Sequence, residues 1–175
     1  MREEPAEAIQ RQMIALLPRL RRFAASLTGN LTDADDLVQD TVERALKNLH
    51  RWQAGTRLDS WMYRIAQNLW IDAVRSHRLR RVVDGDPPEA AVAIDGARVM
   101  EAKLTFADTC RALAALPEEQ RVVVALVLIE GLSYREASEI LQLPMGTVTS
   151  RLARAREALS RSVFGEGSRL AEILQ

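Results

Sequence analysis

The chain has 175 residues, of which 47% are hydrophobic and 27% charged, so it can bury a core and is not expected to be disordered throughout. Only 5% of the residues are aromatic, while alanine, leucine and arginine are abundant, which favours helices over sheets. The single cysteine, Cys110, excludes an internal disulfide, and no apolar run is long enough to span a bilayer. The first residues lack the pattern of a signal peptide, so we expect no membrane insertion.

The charges are unevenly distributed, although the formal net charge is +0. Residues 64–81 contain five arginines and one acid, and residues 147–161 contain four arginines and one acid. Between these basic segments, residues 84–101 contain five acids and a single arginine. Each basic segment is therefore a candidate for contact with phosphates, which the whole-chain charge conceals.

Residues 7–28 have apolar side chains at helical spacing, and Pro18 is expected to start a new helix or to kink this one. Gly29 then ends the helical pattern, and Thr32 is the predicted N-cap of a second helix. That helix has an apolar stripe on one side. Its other side is polar and includes Asp36, Gln39, Asp40 and Glu43.

A third helix is predicted from a cap at Asp59 or Ser60 to about Arg75, followed by a basic segment, "RSHRLRR". Trp61 and Trp70 lie on its apolar side and are predicted to belong to the core. Its other surface carries the polar residues Arg64, Asn68, Asp72 and Arg75.

Residues 84–96 combine adjacent prolines, two glycines and several acids, which predicts a linker. The predicted fold class is therefore all-α, with two small helical domains joined by an acidic linker. The expected domains are residues 1–82 and 105–165, with the linker at 83–104 and a tail at 166–175. This composition leaves the relative placement of the two domains open, and the tail is either a short helix or loose.

The second half begins with a helix predicted over residues 100–115, followed by one with Pro117 at its first position that runs to Ile129. Ser133 and Glu136 have the spacing of a capping box, which starts a short helix. A tight turn then leads into a longer arginine-rich helix, and this order predicts a helix-turn-helix. The predicted exposed surface of the second helix contains Thr147, Thr149, Ser150, Arg151 and Arg154. A solvated basic helix in a bundle is the alternative, but the capping box, the short turn and the hydroxyl-rich helix start favour DNA binding.

Two long segments resemble two regions of one known family, and they follow each other in the same order as in that family. The stretch "LPEEQRVVVALVLIEGLSYREASEILQLPMGTVTSRLARAREAL" resembles region four of extracytoplasmic-function (ECF) sigma factors of bacterial RNA polymerase. The stretches "TDADDLVQDTVERALKNLHRW" and "LDSWMYRIAQNLWIDAVRSHR" resemble region two of the same family. The resemblance covers roughly residues 8–82 and 105–162.

The resemblance implies that region two holds core RNA polymerase and opens the promoter at the minus-ten element. The acidic surface of the second helix, made of Asp36, Gln39, Asp40 and Glu43, then corresponds to the part that docks on the clamp helices of the β′ subunit. Asn68 is the candidate for a base pocket, because its amide both donates and accepts hydrogen bonds. The candidate phosphate contacts are Arg64, Arg75, Arg78, Arg80 and Arg81. Met62 follows Trp61, so the paired tryptophan wedge of housekeeping sigma factors is absent.

The resemblance also implies that region four reads the minus-35 element and touches the β flap. Thr147, Thr149, Ser150, Arg151 and Arg154 fall on the family's contact positions, although many members have a basic residue where Thr149 stands. An anti-sigma factor is the expected inhibitory partner, and the expected location is cytoplasmic, with nucleoid association when polymerase is bound.

Three alternative functions fit the sequence less well. A sigma mimic that sequesters an anti-sigma factor would be expected to lose the recognition arginines, which this chain keeps. A helix-turn-helix regulator with a sensor domain does not account for the pattern between Asp36 and Arg75. An enzyme is disfavoured, because His50, His77 and Cys110 share no ligand spacing and helix capping explains the acids near Asp33. No catalytic residue, metal or cofactor is predicted.

Overall fold

The protein is described by a computed structural model that covers residues 5–53, 55–84 and 112–164. Within these ranges it contains helices and no strand, so the prediction of an all-α fold is confirmed. The linker predicted at 84–96 lies outside the described residues from 85 onward, as do most of the helix predicted at 100–115 and the tail. The elements are α1 (Pro5–Thr28), α2 (Leu31–Lys47), a 3₁₀ turn (Leu49–Arg51), α3 (Leu58–Asp84), α4 (Glu118–Val124), a π-helical turn (Ala125–Ile129), α5 (Tyr134–Leu141) and α6 (Met145–Phe164).

Helix α1 passes through Pro18 without a break, so the prediction of a new helix there is wrong. Proline removes one backbone hydrogen bond, and the packing of the helix around it compensates for that loss. Leu20, Phe23 and Leu27 are fully buried on α1, while Pro18 itself is exposed. Tertiary packing thus keeps this segment helical, although proline alone would interrupt it.

The N-cap of α2 is Asn30 rather than Thr32. Gly29 has a φ of 82°, which ends α1 and leaves Asn30 in an extended conformation. The Asn30 side chain accepts a hydrogen bond from the backbone N–H of Asp33 at 2.8 Å. Because the connection between the two helices is so short, the first residue able to cap α2 does so.

Helix α3 begins at Leu58, before the predicted caps, and continues through Asp84. The basic segment predicted to follow this helix is therefore its last turns. Trp70 is only 5% exposed and Trp61 is half-buried, as expected for core residues. Asp59 lies in the first turn, where its carboxylate accepts hydrogen bonds from Arg57 at 2.7 and 3.1 Å.

In the second half, Pro117 precedes α4 rather than occupying its first position. Both hydrogen bonds of the predicted capping box at Ser133 and Glu136 are present, at 3.2 and 2.8 Å. Gln142 adopts the left-handed conformation, with a φ of 54°, and turns the chain from α5 into α6. The predicted helix-turn-helix is thus formed.

The two halves, α1–α3 and residues 112–164, pack against each other over one continuous core. Helix α1 contacts α4 and the π-helical turn, and α3 contacts α5. Val123, Val124 and Leu126 of the second half are fully buried, as are Phe23 and Tyr63 of the first, whose rings lie edge to face with centroids 4.9 Å apart.

The capping box gives a test of the helix-turn-helix. Ser133→Ala removes the side-chain acceptor for the Glu136 backbone N–H, so the free energy of unfolding should fall by about 1 kcal/mol. Urea denaturation followed by circular dichroism measures this. Ser160→Ala, inside α6, should change stability by less than about 0.5 kcal/mol. Equal losses in both variants would contradict a role for the cap.

Candidate functional site

Four predicted binding residues lie together on the solvent face of α2. Asp36, Gln39, Asp40 and Glu43 are all exposed. The opposite face of the helix is buried through Ala34, Leu37, Thr41 and Ala45. Lys47 donates a hydrogen bond to Glu43, and this bond together with the attraction of the ammonium group lowers the pKa of that carboxyl. With three acidic side chains, this surface suits a basic partner.

Helix α3 carries the predicted minus-ten residues, but only some of them face solvent freely. Asn68, the residue predicted to capture a base, is exposed. Arg64 is half-buried and donates hydrogen bonds to the carbonyls of Glu139 at 2.6 Å and Ile140 at 3.3 Å. These carbonyls belong to the C-terminal end of α5, where the helix dipole favours a cation.

The remaining arginines of α3 follow along the helix. Arg75 is exposed, and Arg78 forms an ion pair with Glu118 of α4 at 2.5 Å. Arg80 and Arg81 belong to the last turns of α3, but their side chains lie outside the described residues.

Helix α6 presents the predicted recognition surface. Val148, Leu152 and Ala155 are fully buried on one side, and Thr149, Ser150 and Arg154 are exposed on the other. The hydroxyls of Thr149 and Ser150 donate to carbonyls of their own helix, at 3.0 and 3.1 Å. Two predicted residues, Thr147 and Arg151, are half-buried, and Arg151 donates a hydrogen bond to Glu119 of α4 at 2.9 Å.

A groove of about 480 Å³ separates α3 from the second half. Arg75 and Arg78 line it from α3, and Arg151 lines it from α6. The rest of its lining is mixed, with apolar side chains such as Ile71 and Val122 beside the carboxylates of Glu118 and Glu119. Residues predicted for the minus-ten and minus-35 elements therefore face the same interior groove, which the sequence did not predict.

The sequence also did not predict a buried polar cluster that lies between the halves. The carboxylate of Glu130 is fully buried and accepts hydrogen bonds from Arg19 at 3.2 Å, from Arg22 at 3.0 and 3.3 Å, and from the Tyr63 hydroxyl at 2.6 Å. Burial, and then the hydrogen bond and negative charge of Glu130, raise the pKa of Tyr63. The position of Glu130 next to a long apolar run was the only signal in the sequence, and it did not identify the partners.

Arg121 makes a second polar contact between the halves. Its guanidinium donates to the carbonyl of Leu27 at 2.7 Å and lies 5.4 Å from the ring centroid of Trp70. Burial lowers the pKa of Arg121. The first half of the chain thus supplies partners for two buried charges of the second half.

The described residues contain neither a candidate membrane span nor a candidate metal cluster. No helix there combines the length and the apolar character needed to cross a bilayer. In the same ranges, no group of three or more His, Cys, Asp or Glu side chains is arranged to hold a metal ion.

Comparison with known proteins identifies the family of this chain. The family model for Sigma-70 region 2 matches residues 13–80, and that for Sigma-70 region 4 matches residues 111–159. The ECF RNA polymerase sigma factor EcfG of Rhodopseudomonas palustris is 38% identical over 162 residues, which cover 93% of this chain and 88% of that protein. The chain belongs to the ECF family of RNA polymerase sigma factors. It is therefore an alternative sigma factor, a member of a family of transcription initiation factors.

Two solved structures of similar fold are of proteins in complex with a second protein. The sigma factor RpoE of Bartonella quintana, solved with the anti-sigma factor NepR, has a TM-score of 0.74 and 32% identity, over 90% of this chain and 97% of that one. The structure of CnrH with the cytosolic domain of CnrY gives a TM-score of 0.67 and 26% identity, over 90% and 88% of the two chains. The all-α fold is thus shared with ECF sigma factors.

The exposed arginine of the recognition helix gives a test that needs no knowledge of the promoter. Arg154→Ala should weaken binding of the full chain to a random-sequence duplex and reduce the slope of log affinity against log salt by about 0.9, because one phosphate contact is lost. Filter binding over a salt series measures both quantities.

Arg21→Ala is the matched control, because Arg21 is also exposed but pairs with Asp35 in the first half. Its salt slope should equal that of the wild type. An unchanged slope for Arg154→Ala would remove this arginine from the phosphate contacts.

Proposed function

We propose that this ECF sigma factor binds core RNA polymerase through the acidic face of α2, opens promoters with α3 and reads the upstream element with α6. The observation that carries this proposal is the separation of charge. The exposed carboxylates of α2 lie on one surface, and the arginines lie on α3 and α6. We further propose that residues 1–82 act as the polymerase-binding and melting domain and residues 105–165 as the upstream reader, joined by a linker at 83–104.

The acidic face suits the β′ clamp helices for electrostatic reasons. Asp36, Asp40 and Glu43 present three carboxylates, and the amide of Gln39 supplies donors and an acceptor. The helix holds the backbone of these residues in fixed positions, so little backbone ordering is needed on binding. Charge complementarity of this kind raises the association rate and excludes wrong partners.

Promoter opening requires that an unstacked base be captured, since unstacking costs roughly a few kcal/mol. Asn68 is exposed on α3 and can read the edge of such a base through its amide. Arg64 and Arg75 lie one and two turns from it along the same side of the helix, where they would hold the strand backbone. We assign the minus-ten contacts to this surface, together with Arg78, Arg80 and Arg81.

Upstream recognition would place α6 in the major groove. Thr147, Thr149 and Ser150 lie near its N-terminus, where short side chains reach phosphates or base edges. Arg151 and Arg154 follow one turn later and supply charge. The same half is proposed to contact the β flap.

An anti-sigma factor is the proposed regulator. Support comes from the Bartonella quintana sigma factor, which has a similar fold and was solved with its anti-sigma factor. We also propose that the protein is not an enzyme, and that it resides in the cytoplasm and joins the nucleoid when bound to polymerase.

Polymerase binding can be tested by charge reversal. Asp40→Lys should weaken binding to core RNA polymerase on the order of tenfold or more, because it places a cation opposite a basic surface. Fluorescence anisotropy of the labelled sigma factor measures the affinity. Asp35→Lys is the control, because Asp35 lies outside the four-residue set and pairs with Arg21 of α1, and it should bind as the wild type does. If the wild type itself captures an anti-sigma factor but neither core polymerase nor DNA, the protein acts as a sigma mimic instead.

Promoter opening can be tested at the proposed base pocket. Asn68→Ala should leave core binding unchanged and reduce run-off transcription about tenfold, the loss expected for one base-reading side chain. Permanganate reactivity of unpaired thymines should fall in parallel, on a template that the wild-type holoenzyme transcribes.

Gln67→Ala is the matched control, because Gln67 is the neighbouring amide but lines the groove between the halves. Equal transcription from Asn68→Ala and the wild type would remove Asn68 from the site.

A further inference from the structure

Every hydrogen bond described for the Glu130 carboxylate crosses from one half of the protein to the other. Glu130 belongs to the second half, whereas Arg19, Arg22 and Tyr63 belong to α1 and α3. We propose that these four residues form an interdomain latch, which holds the free sigma factor in a closed arrangement that cannot engage a promoter. This inference rests on the proposed DNA contacts of α3 and α6.

The latch has a physical basis in the burial of its acid. A carboxylate removed from water requires charged or hydrogen-bonded partners, and Glu130 has three of them. Arg19 and Arg22 keep 36% and 44% of their side chains exposed, so water reaches them at the rim of the interface. Separation of the halves would hydrate all of these ions, which offsets the loss of their mutual attraction. A polar contact of this kind fixes the register of the closed state and still permits opening.

The closed arrangement occupies side chains that the promoter needs. Arg64 is bound to carbonyls at the end of α5, and Arg78 is paired with Glu118. Arg151 of the recognition helix lines the same groove, although its ion-pair partner Glu119 belongs to its own half. An arginine held by a carboxylate or a helix end is not available to a phosphate, so these contacts compete directly with DNA.

Distance also excludes simultaneous use of both promoter elements. Elements centred near minus ten and minus 35 are about 25 base pairs apart, or about 85 Å at about 3.4 Å per pair. A compact chain of this length has a radius of gyration of about 16 Å and a diameter of about 40 Å. The closed protein cannot reach both elements, so the latch must open before both are bound.

Three substitutions test the latch, one in the second half of the chain and two in the first half. Glu130→Gln removes the buried charge with little change in shape. Tyr63→Phe removes one donor and keeps the ring packed on Phe23. Arg22→Gln removes a donor at the exposed rim and so spares the core. Glu139→Gln is the control, because the exposed Glu139 side chain pairs with Arg135 of its own helix, while the contact from Arg64 goes to its backbone carbonyl.

Small-angle X-ray scattering of the free full-length proteins gives the first readout. The radius of gyration should rise for Glu130→Gln, rise less for Tyr63→Phe and Arg22→Gln, and stay at the wild-type value for Glu139→Gln. Far-UV circular dichroism establishes that each variant is folded. If Glu130→Gln does not fold, Tyr63→Phe and Arg22→Gln decide the question. Unchanged radii in the folded latch variants would overturn the latch.

Run-off transcription at limiting sigma factor gives the second readout. The latch variants should exceed the wild type several-fold when no anti-sigma factor is present, and the control should not. A larger radius without increased transcription would overturn the inhibitory role. If no protein, including the wild type, supports transcription while the radii still rise, then the proposed promoter function fails and the latch remains. If all the proteins support transcription but their radii are unchanged, then the proposed promoter function stands and the latch fails.

Discussion

The burial of one carboxylate, that of Glu130, determines how the two halves of this sigma factor meet. A carboxylate without solvent access must find donors, and the second half of the chain supplies none of those described. Its partners come from α1 and α3, so the second half has to sit where Arg19, Arg22 and Tyr63 converge. Arg121 makes a complementary contact with Leu27 and Trp70, and these two buried charges together fix the orientation of the interface.

This orientation has consequences for the charged surfaces. Once the halves meet, Arg64 reaches the carbonyl end of α5 and Arg78 meets Glu118 on α4, while Arg151 pairs with Glu119 inside the second half. The formal net charge of zero is thus reflected in the structure. Carboxylates of the protein form ion pairs with arginines that are proposed to hold phosphates. The acidic face of α2 takes no part in this pairing and remains open to solvent.

Local features of the fold were largely predictable. The capping box at Ser133 forms as its spacing indicates, and the helix-turn-helix follows from it, because both depend on residues within one or two turns of each other. Two local predictions were wrong, the first of them for a reason that is not local. Pro18 does not interrupt α1, since buried neighbours hold the helix, and Asn30 replaces Thr32 as the cap because the link between α1 and α2 is so short.

The sequence by itself determined the helices, the family and the surfaces on which polar residues gather, since periodicity and motif spacing report on neighbours along the chain. Only the tertiary structure decided that α3 and α6 share a groove and that Glu130 is bound by α1 and α3. Glu130 and Arg22 are 108 residues apart, and no periodicity links positions so distant. Such pairs form because folding must satisfy a buried charge, and the linker composition leaves open where the satisfying donors come from.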